Sequence, residues 1–300
     1  MNNAPRPRYD RYVAIGDSST EGLDDPDGRG SYRGWSLRLA ERIAENQGTL
    51  TYANFGVRGR RTAQILEEQL APALALRPDL VTLFSGTNDV VARHFDVGGV
   101  AADVERMHRA FRSVGATVLT FTLPDLTPVL PLARRIAPRI TALNAALRDV
   151  SRRTGALLVD LALCSVASDP RLWSEDRLHA NAAGHARIAE ALAQALELPG
   201  ADGSWSTPLP FQQPPSRLTW WLAEGRWSAR HLLPWVWRHL RGRSSGDGRD
   251  PRQPVPVTLT ASTHRFPGEG SSSRRHPHEP PGLDSRPRSA GMPESGYHSS

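Results

Sequence analysis

Short apolar runs and longer amphipathic segments alternate five times along the first two thirds of this sequence. Runs rich in β-branched or aromatic residues have the length and composition of buried strands: residues 12–15, 50–54, 80–84, 117–121 and 157–160. The segments that follow them carry apolar residues at helical spacing: 35–45, 62–76, 100–114, 133–154 and 182–196. This alternation predicts a parallel sheet with helices on both faces, which is a three-layer α/β/α sandwich.

The apolar patterning weakens after residue 199, and this predicts a division of the chain into three parts. Residues 1–199 are expected to form one folded domain, and residues 200–242 a Trp/Arg-rich helical extension. Within the extension, the run 218–240 holds five of the eight tryptophans. Residues 243–300 are dominated by small, polar and proline residues, so they are predicted to be a disordered tail because they offer little apolar surface to offset chain entropy.

The charge of the chain does not favour a nucleic-acid partner. The net charge is +6, and all 37 residues counted as lysine or arginine are arginine. They are spread along the chain rather than clustered on one face. The run 218–240 could contact a membrane surface, but Gly225 and Pro234 divide it into short pieces. We therefore favour packing of its tryptophans onto the domain of residues 1–199, or pairing in a dimer; the oligomeric state is left open.

Cysteine content and the N-terminus predict a cytoplasmic protein. Cys164 is the single cysteine, which excludes an intrachain disulfide and a cysteine-based zinc site. The first apolar run, residues 12–15, is too short for the apolar region of a signal peptide. No segment is long and apolar enough to predict a transmembrane helix.

Residues that can carry chemistry follow the predicted strands, where the loops of a parallel sheet collect at one edge. Ser18 follows the first strand directly, in a Gly-Asp-Ser turn. Asp176 and His179 lie three positions apart, a spacing that lets a carboxylate reach Nδ1 of the imidazole. Serine, histidine and aspartate are the groups that acyl transfer requires. The oxyanion donors would be the N–H groups of Ser18 and Gly59 and the side-chain amide of Asn88.

These blocks resemble those of the SGNH hydrolases, also called GDSL esterases or lipases. The resemblance spans about residues 11–198 and rests on four blocks in the expected order: Gly16-Asp17-Ser18, Asn54-Phe55-Gly56-Val57-Arg58-Gly59, Gly86-Thr87-Asn88-Asp89, and Asp176 with His179. In the second block, Gly59 is the better match to the oxyanion glycine. The resemblance implies a flavodoxin-like parallel sheet of five strands in the order 2-1-3-4-5.

The predicted function is hydrolysis of carboxylic esters through a Ser18–His179–Asp176 triad, on a small-molecule substrate and with no cofactor or metal. Two alternatives use the same fold: an acyltransferase that passes the acyl group to an alcohol, and a non-catalytic binding protein. A flavin carrier is a third, drawn from the fold alone. The Gly-x-Ser-x-Gly elbow of the α/β-hydrolases is absent because Thr20 takes its second glycine position.

Other polar residues of the four blocks are interpreted as structural. Asp17 and Asp89 are expected to hold their loops by hydrogen bonds, and Asn54 to support the loop that carries Gly59. Trp35 is equally consistent with a substrate contact and with the first core residue of its helix.

Overall fold

The structure is a computed structural model, which describes residues 8–213, 216, 224–228, 230 and 248–261. The strands are β1 (Arg11–Gly16), β2 (Thr49–Asn54), β3 (Leu80–Phe84), β4 (Thr117–Phe121), β5 (Leu157–Val159) and β6 (Gln253–Thr260). The helices are α1 (Ser18–Glu21), α2 (Gly34–Gln47), α3 (Thr62–Ala75), α4 (Thr87–Val90), α5 (Val97–Ser113), α6 (Ala137–Thr154) and α7 (Ala182–Ala195). Most of the extension and of the tail lies outside the described residues, so the predictions for those parts are tested only at the residues given above.

The sheet has the predicted parallel core. Strands β2, β1, β3, β4 and β5 pair in parallel in that order. Strand β1 is central, with partners on both sides, and residues 12–15 are all buried. A strand covered on both faces is expected to be a continuous apolar run rather than an alternating one, which is why this segment could be identified from the sequence.

The predicted strand count of five is wrong, because a sixth strand completes the sheet. Strand β6 pairs antiparallel with β2 and covers the edge that β2 would otherwise expose. The prediction of disorder over 243–300 is therefore wrong for Gln253–Thr260. Pro254 and Pro256 suggest a broken segment, yet proline is tolerated in an edge strand. Leu259 supplies the anchor, since its side chain is only 5% exposed.

The chain direction places the helices in two layers. The step from β1 to β2 runs one way along the sheet, and the steps from β2 to β3, β4 and β5 run the other way. Since such crossovers are right-handed, α2 covers one face, and α3, α5 and α6 cover the opposite face. Helix α7 packs against α2, while α5 packs against both α3 and α6. The three-layer prediction is confirmed.

Two helices begin where local chemistry, rather than apolar spacing, sets the limit. Helix α5 starts three residues before the predicted position because the Asp96 carboxylate accepts a hydrogen bond from the Gly98 N–H at 3.0 Å. Helix α6 starts at Ala137 rather than at 133, since a 3₁₀ turn over Pro131–Arg135 precedes it. Pro138 then occupies its first turn, where a missing N–H costs nothing.

The direction of strand order reverses between β1 and β3, and this opens a crevice beyond their C-terminal ends. Helices α1 and α4 begin there. Beneath the crevice, the Phe84 and Phe121 rings stack at 4.1 Å, and the Trp35 ring meets Phe121 edge-on at 5.3 Å. An aromatic cluster therefore packs at the C-terminal ends of β3 and β4.

Candidate active site

Ser18 is fixed by the end of the central strand. Gly16 has φ 153°, and a Cβ at that position would lie 2.4 Å from the Phe84 carbonyl oxygen, so only glycine fits. The Gln69 side chain bonds both backbone groups of Gly16: its Oε1 accepts from N–H at 2.8 Å and its Nε2 donates to C=O at 2.9 Å. Asp17 caps helix α1 by accepting from the Ser19 N–H at 3.0 Å. Ser18 is thus the first helical residue, half-buried at the crevice.

Asp176 and His179 lie on one tight loop. The Ser174 N–H donates to the His179 carbonyl at 2.9 Å and closes the turn. Within it, Oδ1 of Asp176 accepts three hydrogen bonds, from the Ser174 hydroxyl at 2.6 Å, the Leu178 N–H at 2.9 Å and the His179 N–H at 3.1 Å. Because Oδ1 is fully used, Oδ2 is left to face the imidazole.

The structure brings the three predicted triad side chains into one hydrogen-bonded chain. Oδ2 of Asp176 lies 2.6 Å from Nδ1 of His179, and Nε2 of His179 lies 2.8 Å from Oγ of Ser18. The side chains of Asp176 and His179 are 27% and 20% exposed, so solvent screens the attraction between them only in part. Ser18 and His179 are 161 positions apart in the sequence.

Charge around the imidazole favours its protonated form. Burial lowers the pKa of His179, but the hydrogen bond and charge of Asp176, with the charges of Asp24 and Asp17, outweigh it and raise that pKa. Burial acts against the carboxylate of Asp176 as well, yet the bonds from His179, Ser174 and Leu178 hold its pKa well below the ordinary range. Asp176 is therefore ionised wherever His179 titrates.

Asp17 has a different character, since it is fully buried. Burial raises its pKa to about 7, although the hydrogen bond from the Ser19 N–H and the charge of His179 oppose the shift. Asp89 is also buried, and burial raises its pKa while the hydrogen bonds from Thr62 oppose this. Its Oδ2 accepts from the Thr62 hydroxyl at 2.8 Å and from the Thr62 N–H at 3.0 Å. Both carboxyl groups hold loops, as predicted.

The predicted oxyanion residues border the same crevice. Ser18 begins α1, a position whose N–H has no acceptor within the helix. Gly59 has φ 77°, a left-handed turn that glycine tolerates. Nδ2 of Asn88 donates to the Arg60 carbonyl at 3.0 Å and, over a long 3.4 Å, to Oδ2 of Asp17, so its second N–H is held weakly enough to turn to an oxyanion. The bond to Arg60 ties Asn88 to the residue after Gly59.

Asn54 holds the loop that leads to Gly59, as predicted. Its Oδ1 accepts from the Gly56 N–H at 2.7 Å, and its Nδ2 donates to the Thr20 carbonyl at 2.7 Å. The N–H of Gly56 is therefore already used, which favours Gly59 as the oxyanion glycine. Trp35 is a core residue rather than a substrate contact, because its side chain is fully buried and its Nε1 donates to the Ser19 hydroxyl at 3.1 Å.

Two supporting contacts could not be found from the sequence. Gln69 lies on a helix, where a glutamine is usually solvent-exposed, and nothing in its spacing marks it as the residue that holds Gly16. Arg177 and Trp227 are 50 positions apart, yet the Arg177 guanidinium lies 4.5 Å from the centroid of the Trp227 ring. Packing of this tryptophan onto the catalytic domain is the arrangement that the sequence favoured.

Among the described residues, one cluster has the spacing of a metal site: Asp24, Asp176 and His179, whose ligand atoms lie within 4.8 Å of one another. Asp24 is 3.9 Å from Nδ1 of His179, beyond hydrogen-bond distance. A metal here would have to displace the 2.6 Å bond between Asp176 and His179. We therefore interpret the cluster as a hydrogen-bonded pair with a neighbouring carboxylate.

An α/β/α sandwich with a serine–histidine–aspartate chain at its switch point is an arrangement that serine hydrolases use. A family model described as GDSL-like Lipase/Acylhydrolase matches residues 14–187. The chain belongs to this family, and it is a hydrolase of carboxylic esters. No curated protein matches the sequence.

Solved structures share the fold. TesA is 23% identical, with a TM-score of 0.53 over 62% of this chain and 98% of its own. A lipase/acylhydrolase from Enterococcus faecalis is 22% identical, with a TM-score of 0.53 over 65% of this chain and 100% of its own. An acetylxylan esterase from Geobacillus stearothermophilus is 16% identical, with a TM-score of 0.55 over 65% of this chain and 97% of its own.

Over the described residues, none of the helices combines the length and apolar character that crossing a bilayer requires.

Proposed function

We propose that the chain hydrolyses small-molecule carboxylic esters with Ser18 as nucleophile, His179 as general base and Asp176 as the group that orients the imidazole. The observation that carries the proposal is the continuous chain of hydrogen bonds, 2.8 Å from Ser18 to His179 and 2.6 Å from His179 to Asp176. With Nδ1–H donated to Asp176, Nε2 is free to accept the proton of the Ser18 hydroxyl.

The first half of the reaction acylates the enzyme. Ser18 Oγ forms a bond to the ester carbonyl carbon while its proton passes to Nε2 of His179. The tetrahedral intermediate carries its negative charge on the former carbonyl oxygen, which the N–H groups of Ser18 and Gly59 and the amide of Asn88 stabilise. The carbon–oxygen bond to the alcohol then breaks, and the leaving oxygen takes the proton from His179.

The second half regenerates the enzyme. Water gives a proton to His179 Nε2 as its oxygen attacks the acyl carbon, and the bond to Ser18 Oγ breaks as the proton returns to that oxygen. The carboxylic acid leaves. Asp176 stays ionised throughout, consistent with its lowered pKa.

The test compares Ser18→Ala with Ser19→Ala on p-nitrophenyl esters of increasing acyl length and on acetylated sugars. Ser19 is the adjacent hydroxyl and accepts a hydrogen bond from Trp35, so it is a matched control. We expect Ser18→Ala to lose activity by about 10⁴-fold or more and Ser19→Ala to keep most of it. A fluorophosphonate should label wild type and Ser19→Ala but not Ser18→Ala. Equal turnover in wild type and Ser18→Ala would refute the nucleophile.

A further inference from the structure

A short piece of the extension contacts the outside of the loop that carries Asp176 and His179. We call residues 224–228 and 230 the clamp segment; residues 224–227 are helical. Its side chains contact the loop at Glu175 and Arg177, the two residues on either side of Asp176.

The contacts hold the loop at both its backbone and its side chains. The indole N–H of Trp227 donates to the Glu175 carbonyl at 2.8 Å. The carboxylate of Glu224 receives both terminal nitrogens of Arg177, at 2.9 and 2.7 Å. The same guanidinium lies 4.5 Å from the centroid of the Trp227 ring, within cation–π distance. Glu175 and Arg177 flank Asp176 directly.

The ion pair between Arg177 and Glu224 is partly shielded from solvent. The side chains of Arg177 and Glu224 are 22% and 18% exposed, whereas the pair of Arg230 with Glu175 is 72% and 79% exposed and 3.7 Å long. A forked guanidinium–carboxylate pair with limited solvent access fixes geometry better than a surface pair. Arg177 is therefore the main point of attachment.

The loop that carries Asp176 and His179 has a strained backbone, which contacts from outside the loop can stabilise. Arg177 has φ 61°, a left-handed conformation that costs a non-glycine residue free energy and that persists only when its surroundings impose it. Hydrogen bonds to Asp176 fix the loop from inside, and the clamp segment fixes it from outside. A small displacement of a catalytic base can cost a large part of the rate.

We propose that the clamp segment positions the Asp176–His179 loop, so that Arg177, Glu224 and Trp227 are positioning residues for the general base. The proposal rests on the proposed function. It assigns the extension a role in turnover, because its contacts are made to the loop that carries His179. Loss of the clamp should lower kcat and leave KM nearly unchanged.

The test is a double-mutant cycle in the full chain with Arg177→Ala, Glu224→Ala and the pair. Each single variant is expected to lower kcat about tenfold, and the pair no more than either one, because both remove the same contact. Trp227→Phe keeps the ring but loses the N–H, so its loss should be smaller than that of Trp227→Ala. Trp205→Phe is the matched control, since Trp205 is also half-buried and donates its N–H to Gln194; it should leave kcat unchanged.

A second readout separates positioning from a general loss of structure. If the clamp sets the Asp176–His179 bond, the acid limb of kcat/KM should move to lower pH in Arg177→Ala, and the downfield proton resonance of His179 Nδ1–H should broaden or shift. The melting temperature should change no more than in Trp205→Phe. Wild-type kcat in both single variants, or additive losses in the pair, would overturn the proposal.

The two proposals fail separately. If Ser18→Ala kept full activity, the proposed mechanism would fall and the clamp with it. If Ser18→Ala were inactive while the Arg177 and Glu224 variants matched wild type in kcat and pH profile, only the clamp would fall.

Discussion

Replacing Asp176 by asparagine should abolish most activity while leaving the loop folded. Oδ1 of Asp176 accepts from three donors, the Ser174 hydroxyl and the N–H groups of Leu178 and His179. An asparagine must therefore place its carbonyl oxygen at that position, because an amide NH₂ cannot accept these bonds. Its NH₂ is then forced to face Nδ1 of His179, where Oδ2 lies in the wild type.

This orientation favours the wrong tautomer of His179. A donor opposite Nδ1 stabilises the tautomer that carries its proton on Nε2, so His179 can no longer accept the proton of Ser18. In serine hydrolases with these three groups, the same substitution removes about 10⁴ in turnover, or about 5 kcal/mol of transition-state stabilisation. We expect a kcat loss of this size and a small change in KM.

The assay is steady-state hydrolysis of a p-nitrophenyl ester by wild type, Asp176→Asn and Asp24→Asn. Asp24 is the matched control, since it is also a carboxylate near Nδ1 but lies 3.9 Å away and is 40% exposed. Its substitution should change kcat less than about tenfold, because a partly solvated charge at that distance contributes little. Retention of a tenth of wild-type activity by Asp176→Asn, or equal losses in the two variants, would refute the reasoning.

Three further outcomes are expected. The pKa of His179 is raised above its ordinary 6.5, and the base must be neutral, so kcat/KM should fall as pH drops through a value above 6.5; an acid limb at or below 6.5 would contradict this. Asn88→Ala should lower kcat by about 10²–10³, and an unchanged kcat would exclude it from the oxyanion hole. Gly16→Ala should reduce the free energy of unfolding in urea by at least about 2 kcal/mol, because the new Cβ would meet the Phe84 carbonyl. Gly115→Ala, also at positive φ but with open space around it, should cost only about 1 kcal/mol.

The sheet was predictable because its strands are continuous apolar runs. The runs 12–15 and 80–84 are buried at every residue, and their short length and β-branched composition favour strand over helix. The order of the strands came from the resemblance to a family, since periodicity does not fix which strands pair. Strand β6 was missed because it needs one buried anchor, Leu259, and the prolines around it resemble those of an unfolded tail.

The candidate site was predictable where chemistry restricts residue type. A nucleophile, a base and a carboxylate at the ends of strands leave few candidates, and Ser18, His179 and Asp176 were among them. The groups that support them were not predictable. Gln69 and Glu224 act through geometry that appears only when distant segments meet, and many polar residues could have served in their place.

The two halves of the site are held by different kinds of interaction. Ser18 is attached to the central strand through Gly16, where backbone packing and the buried Gln69 amide leave no freedom. The base lies on a surface loop held by its own hydrogen bonds and by one shielded ion pair. Changes around Gly16 should therefore reduce stability and activity together, whereas changes around Arg177 should reduce activity with little effect on stability. A substitution that lowers turnover without unfolding the protein is therefore expected on the loop that carries His179. This is the loop that the extension contacts.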